Sequence, residues 1–276
     1  MIPRRAFLAT GMAFAALPLR AQATRLRVKG AMEQGSLCVG ASEPGAKISI
    51  DGRPVRVSPT GIFAFGFAYD QAKPTLVEAH FTDGATQNQS FTPTIRKYEI
   101  QSVNGLPQAT VTPPPEVLAR IHREAANIYR ARTIDTDATW FAEGFDWPAP
   151  GILSGVFGSQ RIDNGTPMTP HFGVDMAAPT GTPIHAPANG TVSIADNYFL
   201  DGGFTLIDHG QGVSTCYLHQ SKLLVKPGDV VTRGQLIGLI GQTGRATGPH
   251  LHWAMNWFQI KLDPSRSART PLPVRL

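Results

Sequence analysis

From Leu26 to about Arg96 apolar and polar residues alternate in short runs separated by turn-forming residues. Leu37-Cys38-Val39, Lys47-Ile48-Ser49-Ile50, Pro54-Val55-Arg56-Val57 and Ile62-Phe63-Ala64-Phe65 have the two-residue period of strands with one face buried. Asp51-Gly52, between two of these runs, is a hairpin signal, because glycine tolerates the positive φ that a tight turn demands. The pattern predicts a small antiparallel β-sandwich over residues 24–100, acting as a spacer or docking module. His80 lies in one of these runs without a partner ligand nearby and reads as structural.

The period changes after Thr112-Pro113-Pro114-Pro115. Val117, Leu118, Ile121, Ala125 and Ile128 recur at three- and four-residue spacing, which predicts a helix over about 114–132 inside a linker of residues 101–150. His122 falls beside the apolar stripe and reads as a boundary residue. The helix could pack on the following unit or restrict a cleft in it, and the spacing does not choose. From Gly151 to the end, residues 151–276, the glycine-rich strand texture returns. The chain is therefore mainly β. Its 276 residues leave room for two modest domains, and 42% apolar against 16% charged residues excludes a largely disordered chain.

The first residues have a different origin. Arg4 and Arg5 precede an apolar stretch from Ala6 to Leu19, and Ala21-Gln22-Ala23 offers small residues to a signal peptidase. This reads as a signal peptide spanning residues 1–23, shorter in its apolar part than a membrane span and leaving no stable membrane anchor after cleavage. The arginine pair also resembles a twin-arginine export signal. The formal charge of +5 falls to +2 once Arg4, Arg5 and Arg20 leave with the leader. No Lys/Arg cluster points to nucleic acid, whereas a mildly basic exported chain suits an anionic polymer. Cys38 and Cys216 lie in different units and read as buried free thiols.

Six of the eight histidines follow residue 170. His171 and Asp175 stand four residues apart with Gly173 between them, where a flexible glycine lets both side chains turn to one point. His250 and His252 are two apart, so in a strand both project from one face while Leu251 enters the core. Two imidazoles and a carboxylate are a donor set suited to zinc, with a fourth position open for water. Strand alternation puts Thr215, Tyr217 and His219 on one face, with His219 aimed at the cleft, and Cys216 and Leu218 on the other. His209, in a turn, reads as structural, and His185 could line the cleft.

These segments carry a resemblance. Phe157-Gly158-Ser159-Gln160-Arg161, His171-Phe172-Gly173-Val174-Asp175, Gly181-Thr182-Pro183 and Gly190-Thr191-Val192 stand in an order similar to that of the M23 family, the lysostaphin-like or LytM-type endopeptidases. Ile207-Asp208-His209-Gly210, Thr215 to His219, Gly241-Gln242-Thr243-Gly244, Thr247 to His252 and Asp263-Pro264 continue it. The resemblance implies an open antiparallel β-sheet catalytic domain of the lysostaphin-like type over residues 151–276. It implies one zinc ion (Zn2+) held by His171, Asp175 and His252, with His219 and His250 as non-ligand catalytic histidines, one taking a proton from water and the other stabilising the tetrahedral intermediate. Which has which role stays open, as does Arg161, which would either orient substrate or brace the sheet. The implied activity is hydrolysis of peptide stems or cross-links of peptidoglycan, at glycine bridges or at direct D-alanyl–diaminopimelate links. The alternative is a regulatory scaffold that activates another wall hydrolase through a partner in the cell envelope. Degenerate scaffolds lack some of these five residues, and this chain keeps them all. The leader, with no wall-targeting SH3-like segment recognised after Leu262, points to the periplasm and to direct links.

Overall fold

The computed structural model describes residues 25–271, 273 and 274, so the expected leader lies outside the described residues. The chain begins with β1 (Arg27–Lys29), β2 (Leu37–Ala41), β3 (Lys47–Ile50), β4 (Arg53–Val55), β5 (Ile62–Gly66), β6 (Thr75–His80) and β7 (Thr86–Phe91). They form two antiparallel sheets, in the orders β1-β2-β5 and β4-β3-β6-β7. At the β3–β4 turn, Asp51 and Gly52 both adopt positive φ, 49° and 76°, the backbone that reverses a strand in two residues. Phe63, Phe65, Ile48, Ile50, Val77 and Ala79 turn inward and share one apolar core. His80, at the end of β6, is exposed.

The following segment was expected to be a linker with one helix. It contains β8 (Ile100–Val103), the short helix α1 (Gln108–Val111) and the seventeen-residue helix α2 (Pro115–Ala131), which starts on a proline free to occupy the first helical turn. No residue of α2 is fully buried, and no described helix is long and apolar enough to cross a membrane.

Beyond it come β9 (Ile152–Gly155), β10 (Gln160–Asp163), β11 (Thr166–Pro167), β12 (Val174–Ala177), β13 (Pro183–His185), β14 (Gly190–Tyr198), β15 (Gly202–Asp208) and β16 (Val213–Gln220). The chain then forms β17 (Lys222–Leu223), β18 (Val230–Val231), β19 (Leu236–Leu239), β20 (His250–Trp257) and β21 (Ile260–Leu262). The main sheet is open and antiparallel, in the order β18-β14-β15-β16-β20-β12-β9, with β21 beside β20. A small sheet, β13-β19-β17, accompanies it. Sequence alternation did not foresee one connection: β8, from the segment read as linker, pairs in parallel with β10, setting Gln101 opposite Arg161.

The two β regions share a continuous core. Trp253, Met255, Leu251 and Leu262 belong to the same apolar cluster as Phe63 and Phe65. At Gly66 a Cβ atom would stand 2.7 Å from Leu262, so the N-terminal unit lies directly on the main sheet. Asp263 N–H donates to the Gly35 carbonyl (2.7 Å), and Arg96 pairs with Asp263 (2.9 Å) across the same seam.

Candidate metal centre and its cleft

The registers of β9, β12, β20 and β16 line up one row of residues. Asp175 is paired with Gly155 on one side and His252 on the other, and His252 is paired with Leu218. Directly paired residues project from the same face of a sheet, so Asp175 and His252 enter the same space. His171 reaches that space from the loop before β12, which is pinned by His171 N–H to the Ser159 carbonyl (2.8 Å) and Gly158 N–H to the His171 carbonyl (2.7 Å).

His171 Nε2, His252 Nδ1 and Asp175 Oδ1 form a triangle with sides of 3.0, 2.9 and 2.9 Å. Tetrahedral donors about 2.0–2.2 Å from a zinc ion stand roughly 3.4 Å apart, so the three need open by only about 0.4 Å. The donor chemistry also fits. The Nδ1–H of His171 donates to the Val156 carbonyl (3.0 Å), which leaves the lone pair on Nε2 directed at the triangle. Burial opposes ionisation of Asp175, yet the flanking His171 and His252 hold its carboxyl well below the usual carboxylate range. Burial pushes His252 down to about 4. An ionised carboxylate and neutral imidazoles are the forms that ligate a metal.

Two glycines make the triangle possible, for a reason other than flexibility. A Cβ on Gly173 would stand 2.5 Å from His252 Nε2, and one on Gly155 would stand 2.3 Å from Asp175 Oδ2. Gly173 is absent from the positive-φ residues, so its contribution is the missing side chain, not the curl expected from the sequence. Arg161 supplies the remaining contact: its Nη2 donates to Asp175 Oδ2 at 2.5 Å. Its guanidinium thus braces the carboxylate itself while lining the cleft.

His219 reaches the cleft by a route that alternation missed. Tyr217 packs into the main core, whereas Cys216 and Leu218 lie on the opposite face, with Phe204 and Ala254. A regular strand would therefore send His219 into the core beside Tyr217. The pairing of β16 with β15 shifts register between Thr205 and Gly203, and at this bulge His219 has φ 64°. That left-handed backbone turns the imidazole to the cleft face. His219 N–H donates to the Asp201 carbonyl (2.8 Å), and its Nδ1–H donates to the Thr243 carbonyl (2.8 Å). His250 Nδ1–H donates to the Gly248 carbonyl (2.9 Å). Both Nε2 atoms are thus left as acceptors. The two rings are 4.7 Å apart, and His250 Nε2 is 3.8 Å from Asp175 Oδ1. Burial, aided by the neighbouring imidazoles, pushes His219 down to about 3.

His209 stands apart from the cleft. It is fully buried, donates from Nδ1 to the Asn189 carbonyl (2.6 Å) and accepts at Nε2 from the Thr215 hydroxyl (2.8 Å). His185, on β13, and His122, on α2, do not line the cleft either. Cys38 and Cys216 are free and buried.

The cleft has a volume of about 810 Å³ and contains all five residues of the candidate metal centre and the histidine pair beside it. One wall comes from β8 and the loop after it, and another from Ile128, Tyr129 and Arg132 at the end of α2. Helix α2 is tied down by Arg120 Nη2 to the Asn197 carbonyl (3.0 Å), Phe199 N–H to Glu124 (2.9 Å) and Gln259 Nε2 to the Tyr129 carbonyl (3.0 Å). Of the two placements open to this helix, the structure shows both: it packs on the sheet and borders the cleft.

The comparisons with known proteins agree with this geometry. The pattern of peptidase family M23 matches residues 169–264. The chain is 45% identical over 104 residues to the peptidoglycan DD-endopeptidase ShyA of Vibrio cholerae, a match covering 37% of this chain and 24% of ShyA. It is 43% identical over 83 residues to the DD-carboxypeptidase/endopeptidase Mpg of Neisseria meningitidis, covering 30% and 19%. The matched region thus spans about a quarter or less of the length of these relatives. A solved peptidase M23 structure from Pseudomonas aeruginosa superposes with a TM-score of 0.66 at 31% identity, covering 85% of this chain and 93% of that one. A likeness extending over almost the whole of a related structure, N-terminal β region included, shows that the chain belongs to peptidase family M23.

Proposed function

We propose that this protein is a zinc-dependent endopeptidase of the bacterial cell envelope that hydrolyses peptide cross-links of peptidoglycan. The observation that carries the reading is the meeting of His171 Nε2, Asp175 Oδ1 and His252 Nδ1 within 3.0 Å, with two further imidazoles facing the same space. Zinc held there would supply Lewis acidity, lowering the pKa of water towards about 7 and polarising a carbonyl. The chain's own groups do the rest. Arg161 and the Val156 carbonyl fix the orientation of Asp175 and His171. His219 and His250, each locked by a backbone carbonyl, present an acceptor nitrogen to the cleft. One takes the proton from the attacking water, and in its protonated form the other donates to the oxyanion that develops on the carbonyl.

Peptidoglycan as substrate is supported by the activities for which ShyA and Mpg are named. With the export signal read in the leader, direct D-alanyl–diaminopimelate links in a periplasm are the proposed target. The test is digestion of purified sacculi by zinc-loaded and chelated protein, with the released muropeptides identified by mass spectrometry. Cross-link cleavage confined to the zinc-loaded protein is expected. Equal release after chelation, or no release by either, would overturn the reading.

A further inference from the structure

The charges of the cleft do not balance at one end. Its acidic lining residues, among those described, are Asp163, Asp175 and Asp201, and its basic ones are Arg132, Arg161, Arg245 and Lys261. Arg161 pairs with Asp175, and Arg245 faces Asp163 at 3.9 Å. Arg132 and Lys261 then have only Asp201, a partly buried carboxyl whose pKa burial pushes up and on which Arg245 acts more strongly than either of them. The buried Nε of Arg132 has no hydrogen-bond partner, and its Nη2 has only the Cys216 sulfur at 3.6 Å. Among the described residues no carboxylate pairs with the Arg132 guanidinium within 4 Å, so the part of it that lines the cleft, rather than the buried Nε, can take an acceptor.

The place of this pair relative to the metal centre follows from strand register. Along β20 the positions on the same face as His252 are Ala254, which lines the cleft opposite Cys216, and the buried Asn256, opposite both Ser214 and Lys261. At about 3.4 Å per residue, Cys216 and Ala254 stand roughly 7 Å, and the Lys261 backbone roughly 14 Å, along the strand from the His252 level. Arg132, over Cys216, and Lys261 thus form a cationic end to the groove. An extended peptide advances about 3.3–3.6 Å per residue, so a group about two to four residues from the bond at the metal centre would meet them.

We propose that Arg132 and Lys261 form a carboxylate-binding subsite that recognises a free carboxylate of the peptide stem about two to four residues from the scissile bond. The proposal rests on the peptidase reading for the direction of the groove, while the subsite itself rests on this charge pattern. Burial, with Arg132 adding to it, pushes Lys261 down to about 8 against the weaker pull of Asp201, so an incoming carboxylate would favour the charged lysine. Apart from a terminal D-alanyl carboxylate, two carboxylates of a stem have this chemistry, that of the D-glutamyl residue and that of diaminopimelate.

The test compares three synthetic stem dimers joined by a D-alanyl–diaminopimelate link: one with both carboxylates free, one amidated at D-glutamate and one amidated at diaminopimelate. Calorimetric binding is measured on the chelated chain, where no turnover intervenes. The free dimer should bind about tenfold or more tightly than one of the two amides, as expected for a charge-assisted hydrogen bond, and that amide names the carboxylate. Lys261→Met and Arg132→Gln should each remove most of the preference, and Lys261→Arg should keep it, with melting curves confirming that the variants are folded. Equal binding of all three dimers, or a preference undiminished in both charge-removing variants, overturns the subsite. Turnover of the same dimers by zinc-loaded protein reports separately on the peptidase reading: binding preference without cleavage sinks that reading and leaves the subsite standing.

Discussion

The interiors of the two β regions are built from different materials. The N-terminal one is closed around Phe63, Phe65, Phe67, Cys38 and Val77, and keeps its ion pairs, Arg25 with Glu43 and Asp83, and Arg56 with Asp135 and Asp137, on the partly exposed rim. The main sheet buries His171, Asp175, His209, His219, Asp208 and Asn256. Unpartnered polar groups inside a protein are destabilising, and these are tolerated because backbone carbonyls and amides, hydroxyls, a guanidinium or one another satisfy most of their atoms. The difference shows that one region supplies burial while the other holds chemistry against the tendency of such groups to seek water. Their continuous core lets the first support the second.

Substitutions separate the two contributions. The largest effect is expected at the metal centre: His252→Ala should lower turnover at least about a thousandfold, equivalent to roughly 4 kcal/mol of barrier, with little change in the melting temperature of the chelated protein. A comparable loss of stability would show that the triangle also holds the fold. Next comes Phe63→Ala, which should cost about 3–5 kcal/mol in denaturant unfolding while leaving the zinc affinity of the folded protein unchanged. Altered affinity would mean that the shared core transmits strain to the ligands.

Acid should act through the second region. His209 has a pKa near 4 when folded, lowered by burial, against about 6.5 when unfolded. The unfolded chain therefore takes up the proton first. The stabilisation is complete above about pH 6.5 and is lost as pH falls through 4, a change of roughly 3 kcal/mol. His209→Gln should flatten that part of the stability profile, and an unchanged slope would assign acid sensitivity elsewhere. The smallest effect is expected for Arg161→Gln, which removes the brace on Asp175 and should weaken zinc binding about 10- to 100-fold in a competition titration. Unchanged zinc affinity would return Arg161 to a role toward substrate alone.

Local features of the chain were legible in the sequence. The alternating runs around Leu37, Lys47 and Ile62 and the Asp51-Gly52 turn depend on neighbours in sequence, and the ligand candidates His171, Asp175 and His252 stand in short motifs. Features set by distant pairing were not. The bulge that redirects His219 arises from the register of β16 against β15. The contact that makes Gly173 necessary comes from His252, and the one at Gly155 comes from Asp175. Nothing near Arg132 or Lys261 in sequence shows that both face the cleft, because one ends α2 and the other lies on β21. Arg161 matched a family position, yet its hydrogen bond to Asp175 requires β10 and β12 to be seen together.

The parallel match of Ile100–Val103 to Gln160–Asp163 bears on how the molecule can be cut. A fragment beginning at Gly151 would keep every candidate metal ligand but lose the strand that covers the Arg161 ladder. Its unsatisfied amide and carbonyl groups would form a raw border, inviting self-association and leaving the residue that steadies Asp175 on a fraying strip. Trimmed versions should therefore start upstream of Glu99, with this strand included as part of the half that carries the candidate metal centre.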